Sequence, residues 1–209
     1  MLTHKFTEAF TYAATIHAAQ QRKGTEIPYL SHLMAVAGLV LEHADPASSE
    51  YEDLAIAALL HDAGEDQGGE RRIADIEGRF DKRVADLVRK CSDSLTEDPA
   101  HKRPWGERKR AYLEHLRGSK DRGYLLVGCA DKVHNARAIL TDLRTHGDGV
   151  WARFKGKAPA QIIGYYLSLA TVYEEQLLQT HPLARELATA TASIWAESGE
   201  EADTKWARE

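Results

Sequence analysis

The chain has 209 residues and a mass of 23.3 kDa, with 27 Lys plus Arg against 32 Asp plus Glu, a net charge of -5 and a pI near 6.1. A hydrophobic fraction of 43% and a charged fraction of 28% exclude general disorder and fit a soluble globular chain with one sizeable core. The acidic balance argues against a general nucleic-acid binder, and the longest apolar run, Leu54 to Leu60, is too short to cross a bilayer.

In chain order the dominant signal is helical. Phe6, Phe10, Ala13, Ile16 and His17 recur at three- and four-residue spacings and predict a first helix over about Lys5 to Gln21, broken by Gly24 and Pro28. A second begins near Ser31 with Leu33, Val36, Ala37, Val40 and Leu41 on its stripe. Ser49-x-x-Glu52 predicts a capping box ahead of Leu54 to Leu60, a helix apolar all round and therefore central. That helix runs into His61-Asp62 and is stopped by Gly68-Gly69.

Further helices are expected over Arg72 to Gly78, Lys82 to Cys91, Glu107 to Leu116, Tyr124 to Arg144, Ala160 to Gln179 and Leu183 to Glu197. The stretches Asp93 to Gly106 and His146 to Pro159 read as loops, and the polar tail after Ser198 as frayed. No repeat, low-complexity segment or strand pattern stands out. The expectation is all-α: a single domain over residues 1–197 built of roughly eight to ten helices, then a polar tail over 198–209. Two cysteines, Cys91 and Cys129, and an N-terminus unlike a signal peptide point to a cytoplasmic setting.

The chemistry gathers where the buried helix ends. Two strongly polar residues, His61 and Asp62, after seven apolar ones are costly unless satisfied. On a continuous helix His61, Asp62, Glu65 and Asp66 fall within roughly 140° of arc, so three acids crowd together and call for a cation or protons. His32 opens the second helix, and Asp131 follows the small and apolar run Leu125 to Ala130. His32, His61, Asp62 and Asp131, from three helices, can hold one metal, and imidazole plus carboxylate suits Mn, Fe or Zn better than Ca or Mg. Alone, His61-Asp62 also reads as a helix end turning polar at the surface. His17, His115 and His181 read as packed or capping residues, and Trp105 and Trp151 as either core or base-stacking side chains.

The chain resembles the HD-domain phosphohydrolases, whose pattern is H…HD…D. More narrowly, it resembles the hydrolase domain of the RelA/SpoT family and its stand-alone small alarmone hydrolases. The resemblance rests on Gln21-Arg22-Lys23, on Pro28-Tyr29-Leu30-Ser31-His32, and on Leu60-His61-Asp62-Ala63-Gly64-Glu65-Asp66. It continues through Glu107-Arg108-Lys109-Arg110 and Ala130-Asp131-Lys132-Val133-His134-Asn135, within a match from about Phe6 to Tyr173. It implies a single-ion Mn enzyme, with Fe or Zn open, that releases pyrophosphate from the 3′ position of guanosine alarmones.

By position the metal ligands are then His32, His61, Asp62 and Asp131, and the catalytic acids Glu65 and Asp66. Arg22 and Lys23 are expected around base and ribose, Lys132 and Asn135 on the nucleotide face, and Tyr165 near the sugar and 5′ phosphates. Lys102, Arg103, Arg108, Lys109, Arg110, Arg137, Arg153, Lys155 and Lys157 are candidate phosphate cations, though most of them read equally as a solvated charged face; Arg153, Lys155 and Lys157 flank a glycine-containing loop that favours a phosphate role, and Arg153 is expected as a substrate contact. Gly64, where relatives carry larger residues, is expected to loosen the turn between the HD and ED pairs.

A nucleotide partner is implied, with neither nucleic acid nor membrane, and a homodimer stays open. Adenosine alarmones, or removal of one phosphate from a nucleotide or NADPH by the same site, are the alternative reactions. A sensor that binds the alarmone without turnover is a third. The length leaves no room for a synthetase domain, so degradation is expected.

Overall fold

The first helix, α1 (His4–Ile16), starts at Thr3, whose side chain accepts from Lys5 N, and its apolar face buries Ala9 and Ala13. It is shorter than the periodicity predicts, because His17 ends it and Gln20 to Tyr29 form a closed loop. In that loop Arg22 N donates to Ile27 O at 2.8 Å and Tyr29 N to Gln20 O at 2.9 Å. The computed structural model describes residues 1–96, 101–154 and 156–205. Lys155 and part of the expected loop after Asp93 lie outside the described residues.

After α1 come α2 (Leu30–His43), α3 (Tyr51–Leu60), α4 (Ala63–Asp66), α5 (Gly69–Phe80), α6 (Lys82–Cys91), α7 (Trp105–Gly118) and α8 (Arg122–His146). A 3-10 helix (Gly147–Arg153), α9 (Pro159–Leu177) and α10 (Pro182–Ser198) complete the chain. Among the described residues the only strand-like pairing is a one-residue bridge between Gln21 and Pro28, so the all-α expectation holds. No helix of the described residues is long and apolar enough to cross a membrane.

The chain divides into two compact units. One comprises Met1–Pro104 with Asp121–Ala130, the other Trp105–Lys120 with the chain from Asp131 onward. In the first unit α3 is the central rod: Leu54 to Leu60 are all buried, and α1, α2 and α6 pack against it. Each such Leu or Ile contributes about 1.5–3 kcal/mol of hydrophobic stabilisation. In the second unit α9 packs against α7 and α10, burying Leu169, Val172, Tyr173, Leu183 and Leu187.

Three further expectations change. The capping box does not form: Glu50 precedes α3 without a side-chain cap, and the Glu52 carboxylate instead takes Thr3 N at 2.5 Å and Thr3 Oγ1 at 3.1 Å. Glu52 thereby ties the start of α1 to α3, a use of its charge that sequence spacing does not reveal. The segment after His146 is not a loop throughout but carries a 3-10 helix with Val150 and Trp151 buried. The tail does not fray at Ser198 either. Asp203 N donates to Ala160 O at 3.1 Å, and Asp203 O lies where a Cβ on Gly164 would be, 1.8 Å from that position. Only glycine at 164 lets the tail seat on α9. Trp206 lies outside the described residues.

Candidate active site

The α1–α2 loop and the α3–α4 junction build the site. His61 is the residue after α3 and Asp62 precedes α4. Both keep right-handed helical dihedrals, and Asp66 N donates to Asp62 O at 2.9 Å, so the expected arc of polar side chains largely survives the break. His32, in the first turn of α2, has no exposed surface, and His61 is 1% exposed. Their rings meet edge to face, centroids 5.1 Å apart.

His61 Nδ1 lies 2.8 Å from Ala58 O. A carbonyl only accepts, so Nδ1 carries the hydrogen, and in the neutral ring Nε2 presents a lone pair. That Nε2 is 3.0 Å from Asp62 Oδ2, and His32 Nε2 is 3.6 Å from the same oxygen. One donor atom from each of the three residues lies within 4.8 Å of the others. A lone pair facing a half-buried carboxylate oxygen calls for a proton or a metal cation between them. Two imidazoles and a carboxylate suit a first-row transition dication or zinc. Tyr29 Oη donates to Asp62 Oδ2 at 2.5 Å, and its ring packs on His32 at 5.4 Å and on His17 at 5.5 Å.

The two further acids follow within one turn. Glu65 Oε1 is 3.4 Å from Lys102 Nζ, and Glu65 Oε2 accepts weakly from Asp93 N at 3.4 Å. Asp66 Oδ2 accepts from Gln20 Nε2 at 2.8 Å. Desolvation, then the Asp62 carboxylate, push the Asp66 carboxyl up to about 6, against the opposing pull of the Gln20 bond, Lys102 and His61. Asp66 also keeps an open face to solvent, which a proton acceptor for water needs.

Gly64 does not loosen this turn. A Cβ there would lie 2.8 Å from Ile73 Cδ1 and from Leu95 Cδ2 and 3.0 Å from Ser92 Oγ. The glycine is required by close packing, and α4 is pinned by it.

Asp131, the fourth expected ligand, is 6% exposed on α8 and belongs to the second unit. Its Oδ2 is 2.6 Å from Lys132 Nζ, and its Oδ1 accepts from Asn135 Nδ2 at 2.5 Å. Burial pushes the Lys132 ammonium down, but Asp131, Tyr112 and Tyr165 outweigh it and hold Lys132 well above its ordinary value. Lys132 also lies over the Tyr112 ring at 5.1 Å. Tyr165, buried on α9, takes the Trp105 ring edge-on at 5.8 Å and Lys109 Nζ over its face at 5.3 Å. Lys132, Asn135 and Tyr165 thus share one unit with Trp105 and Lys109.

Arg22 stacks over Tyr29 at 5.7 Å, beside the His–Asp cluster, and Lys23 is exposed on the same loop. Arg153 Nη1 donates to Asp142 Oδ2 at 2.6 Å, and its guanidinium lies over Phe154. Arg137 pairs with Glu186 on the surface. The sequence pattern gives Tyr29 a place in a motif but no role, reads His17 as a packed or capping residue, and marks neither Gln20 nor Gln67. The usable signal was the i, i+3 spacing of Tyr29 to His32 and of His17 to Gln20.

Geometry of this kind defines an all-α protein with a buried cluster suited to a divalent metal and two acids one turn away. A family model described as HD domain matches residues 9–160, and the chain belongs to the HD domain family. A probable guanosine-3′,5′-bis(diphosphate) 3′-pyrophosphohydrolase of Synechocystis sp. is 33% identical over 138 residues, 63% of this chain. A GTP pyrophosphokinase rsh of Brucella ovis is also 33% identical over 138 residues. This chain spans 16% of the length of each of those relatives. Among solved structures, a metazoan ortholog of SpoT, described as hydrolysing ppGpp with a role in starvation responses, matches with a TM-score of 0.64 and 28% identity. That match covers 95% of this chain and 98% of the other.

Proposed function

We propose that this chain hydrolyses (p)ppGpp-type alarmones at the 3′ position, giving GDP or GTP and pyrophosphate. The observation that carries the reading is the cluster of buried His32 and His61 with half-buried Asp62, and Glu65 and Asp66 one turn further on. The near full-length match to a ppGpp-hydrolysing SpoT ortholog supports the substrate.

In this reading His32, His61 and Asp62 hold one dication, and the H…HD…D pattern assigns the fourth ligand to Asp131. Mn2+ is the ion proposed; Fe2+ and Zn2+ suit the same donors. Such an ion supplies Lewis acidity to a phosphoryl oxygen and lowers the pKa of water. Tyr29 fixes the Asp62 carboxylate. Glu65 and Asp66 orient the attacking water, and Asp66 accepts its proton. The water oxygen forms a bond to the phosphorus attached at the 3′ oxygen. The bond from that phosphorus to the 3′ oxygen breaks, and the 3′ oxygen leaves as a hydroxyl with a proton taken from solvent, while Asp66 returns the water's proton to solvent. Arg22 and Lys23 are assigned to the base and ribose. Lys132, Asn135, Arg153 and Tyr165 are assigned to the phosphates and sugar, with the Trp105 and Lys109 pair beside Tyr165 as additional contacts.

The test is incubation of the purified chain with Mn2+ and guanosine tetraphosphate, resolving products by ion-exchange chromatography. GDP and pyrophosphate are expected. Orthophosphate alone favours a phosphatase, and no product at all overturns the enzyme reading. Glu65→Gln with Asp66→Asn together should cut turnover by about 10²–10⁴-fold while nucleotide binding persists.

A further inference from the structure

We propose that His17 and Gln20 form a one-way hydrogen-bond chain that orients the Asp66 carboxylate, which makes both of them positioning residues of the hydrolytic site. The inference rests on the reading of Asp66 as the acid that faces the water.

An amide side chain has one accepting end and one donating end. Two groups converge on Gln20 Oε1: His17 Nδ1 at 2.6 Å and Gln67 Nε2 at 2.6 Å. Gln67 Nε2 can only donate. His17 Nδ1 faces an oxygen and must carry its hydrogen there. The oxygen end of Gln20 is therefore fixed towards His17 and Gln67, and its NH2 end must point away, at Asp66 Oδ2, 2.8 Å distant. The opposite amide orientation would set donors against donors on one side and a carbonyl oxygen against a carboxylate on the other.

Burial at 2% exposure favours the neutral His17 ring, and burial is the largest influence lowering its pKa. A neutral ring with hydrogen on Nδ1 leaves a lone pair on Nε2, and that buried atom has no hydrogen-bond partner among the described residues. Stacking on Tyr29, with centroids 5.5 Å apart and planes 21° apart, locks the ring in this pose. The chain thus runs in one direction: His17 Nδ1–H to Gln20 Oε1, then Gln20 Nε2–H to Asp66 Oδ2.

Its end favours a charged Asp66, held with one oxygen occupied and the other left for water. The groups that face Asp66 are Asp62 and His61 at the α3–α4 junction, Lys102 from the segment before α7, and Gln20. Gln20 supplies a directed bond to that carboxylate, where Lys102 supplies charge. Gln67 makes the oxygen end doubly secured, so loss of His17 alone weakens the chain without reversing it.

The test compares wild type with Gln20→Leu, Gln20→Met and His17→Phe. The phenylalanine keeps the stack on Tyr29 and removes the donor. For the Gln20 variants kcat for pyrophosphate release should fall about tenfold to a hundredfold, with KM changed by less than about twofold. The acid limb of the kcat profile should move to higher pH, because the carboxylate loses a donor. His17→Phe should shift both in the same direction by less. A lower melting temperature with an unmoved acid limb would show a purely structural role and overturn the proposal, as would unchanged kcat in a folded Gln20 variant.

A second readout needs no turnover: the Asp66 carboxyl carbon, followed by NMR against pH in wild type and in the better-folded Gln20 variant. A higher midpoint in the variant supports the chain; an identical one overturns it. If wild type releases no pyrophosphate, the functional reading fails, and this titration still decides whether Gln20 orients Asp66.

Discussion

Tyr29 Oη donates to Asp62 Oδ2 at 2.5 Å, and that same oxygen faces both imidazoles, 3.0 Å from His61 Nε2 and 3.6 Å from His32 Nε2. The phenol therefore sets which lone pair of Asp62 the cluster presents. A partner outside the ligand set that fixes a ligating carboxylate is worth about 10–100-fold in metal affinity. Tyr29→Phe keeps the ring contacts to His17 and His32 and deletes the donor. Calorimetric titration with Mn2+ should show affinity lower by about that factor; unchanged affinity would remove Tyr29 from the site.

Metal binding should stabilise the fold. Potential ligand atoms of His32, His61 and Asp62 lie within 4.8 Å of one another, and a dication among them would be bound by the folded chain and not by the unfolded one. At a free Mn2+ concentration about 100 times Kd the gain is about 2.7 kcal/mol. For a chain of this size that gain corresponds to a rise in Tm of roughly 5–10 °C. Scanning calorimetry with Mn2+ and with chelator reads it, and His61→Ala should abolish most of the difference.

Acid sensitivity should centre on Asp121, remote in sequence from the acids of the cluster. Arg83 grips it with two bonds, at 2.7 and 2.9 Å, and Lys90 adds a third at 2.6 Å. The Arg83 bonds, opposed by burial and reinforced by Lys90, hold its carboxyl well below the usual carboxylate range. A carboxyl lowered in the folded state contributes stability that is complete above its unfolded pKa of about 3.9 and is lost as pH falls below it. Asp121→Asn should cost about 1–3 kcal/mol at neutral pH. Urea unfolding should also show a shallower loss of stability for the variant than for wild type between about pH 5 and pH 2.

Gly64 is a packing position. Its missing Cβ would stand 2.8 Å from Ile73 Cδ1 and Leu95 Cδ2. Gly64→Ala should destabilise by about 1–3 kcal/mol through overpacking. Because α4 carries Glu65 and Asp66, turnover should fall as well. An alanine variant with wild-type Tm would contradict the close packing.

The tail offers a separate check. Gly164→Ala places a Cβ against Asp203 O and should unseat residues 200–205 from α9. Limited proteolysis should then cut after Ser198 faster than in wild type, with little change in the far-ultraviolet spectrum.

Most helices were legible because their signals are local. Apolar spacing over two turns marks a buried stripe, and Lys82–Cys91 forms a helix with the bounds its pattern predicts. Where polar partners decide, the pattern misleads. Ser49-x-x-Glu52 has the spacing of a capping box, yet Glu52 finds Thr3, 49 residues away in the chain. Gly64 reads as a loosened turn, yet side chains from Ile73 and Leu95 close on it.

The sequence by itself determined the helical class and exposed His32, His61, Asp62, Glu65 and Asp66 as residues out of place in, or just beyond, apolar stretches. Polar groups set into apolar runs are conspicuous because burying them is costly. Only the tertiary structure decided how those residues are held: Tyr29 on Asp62, and Gln20 on Asp66 with His17 and Gln67 behind it. Apart from His17 and Gln20, which are near neighbours in the chain, these partners lie tens of residues apart, and which donor meets which acceptor follows from how α1, α2 and α3 pack, a property of the assembled core that local spacing does not record.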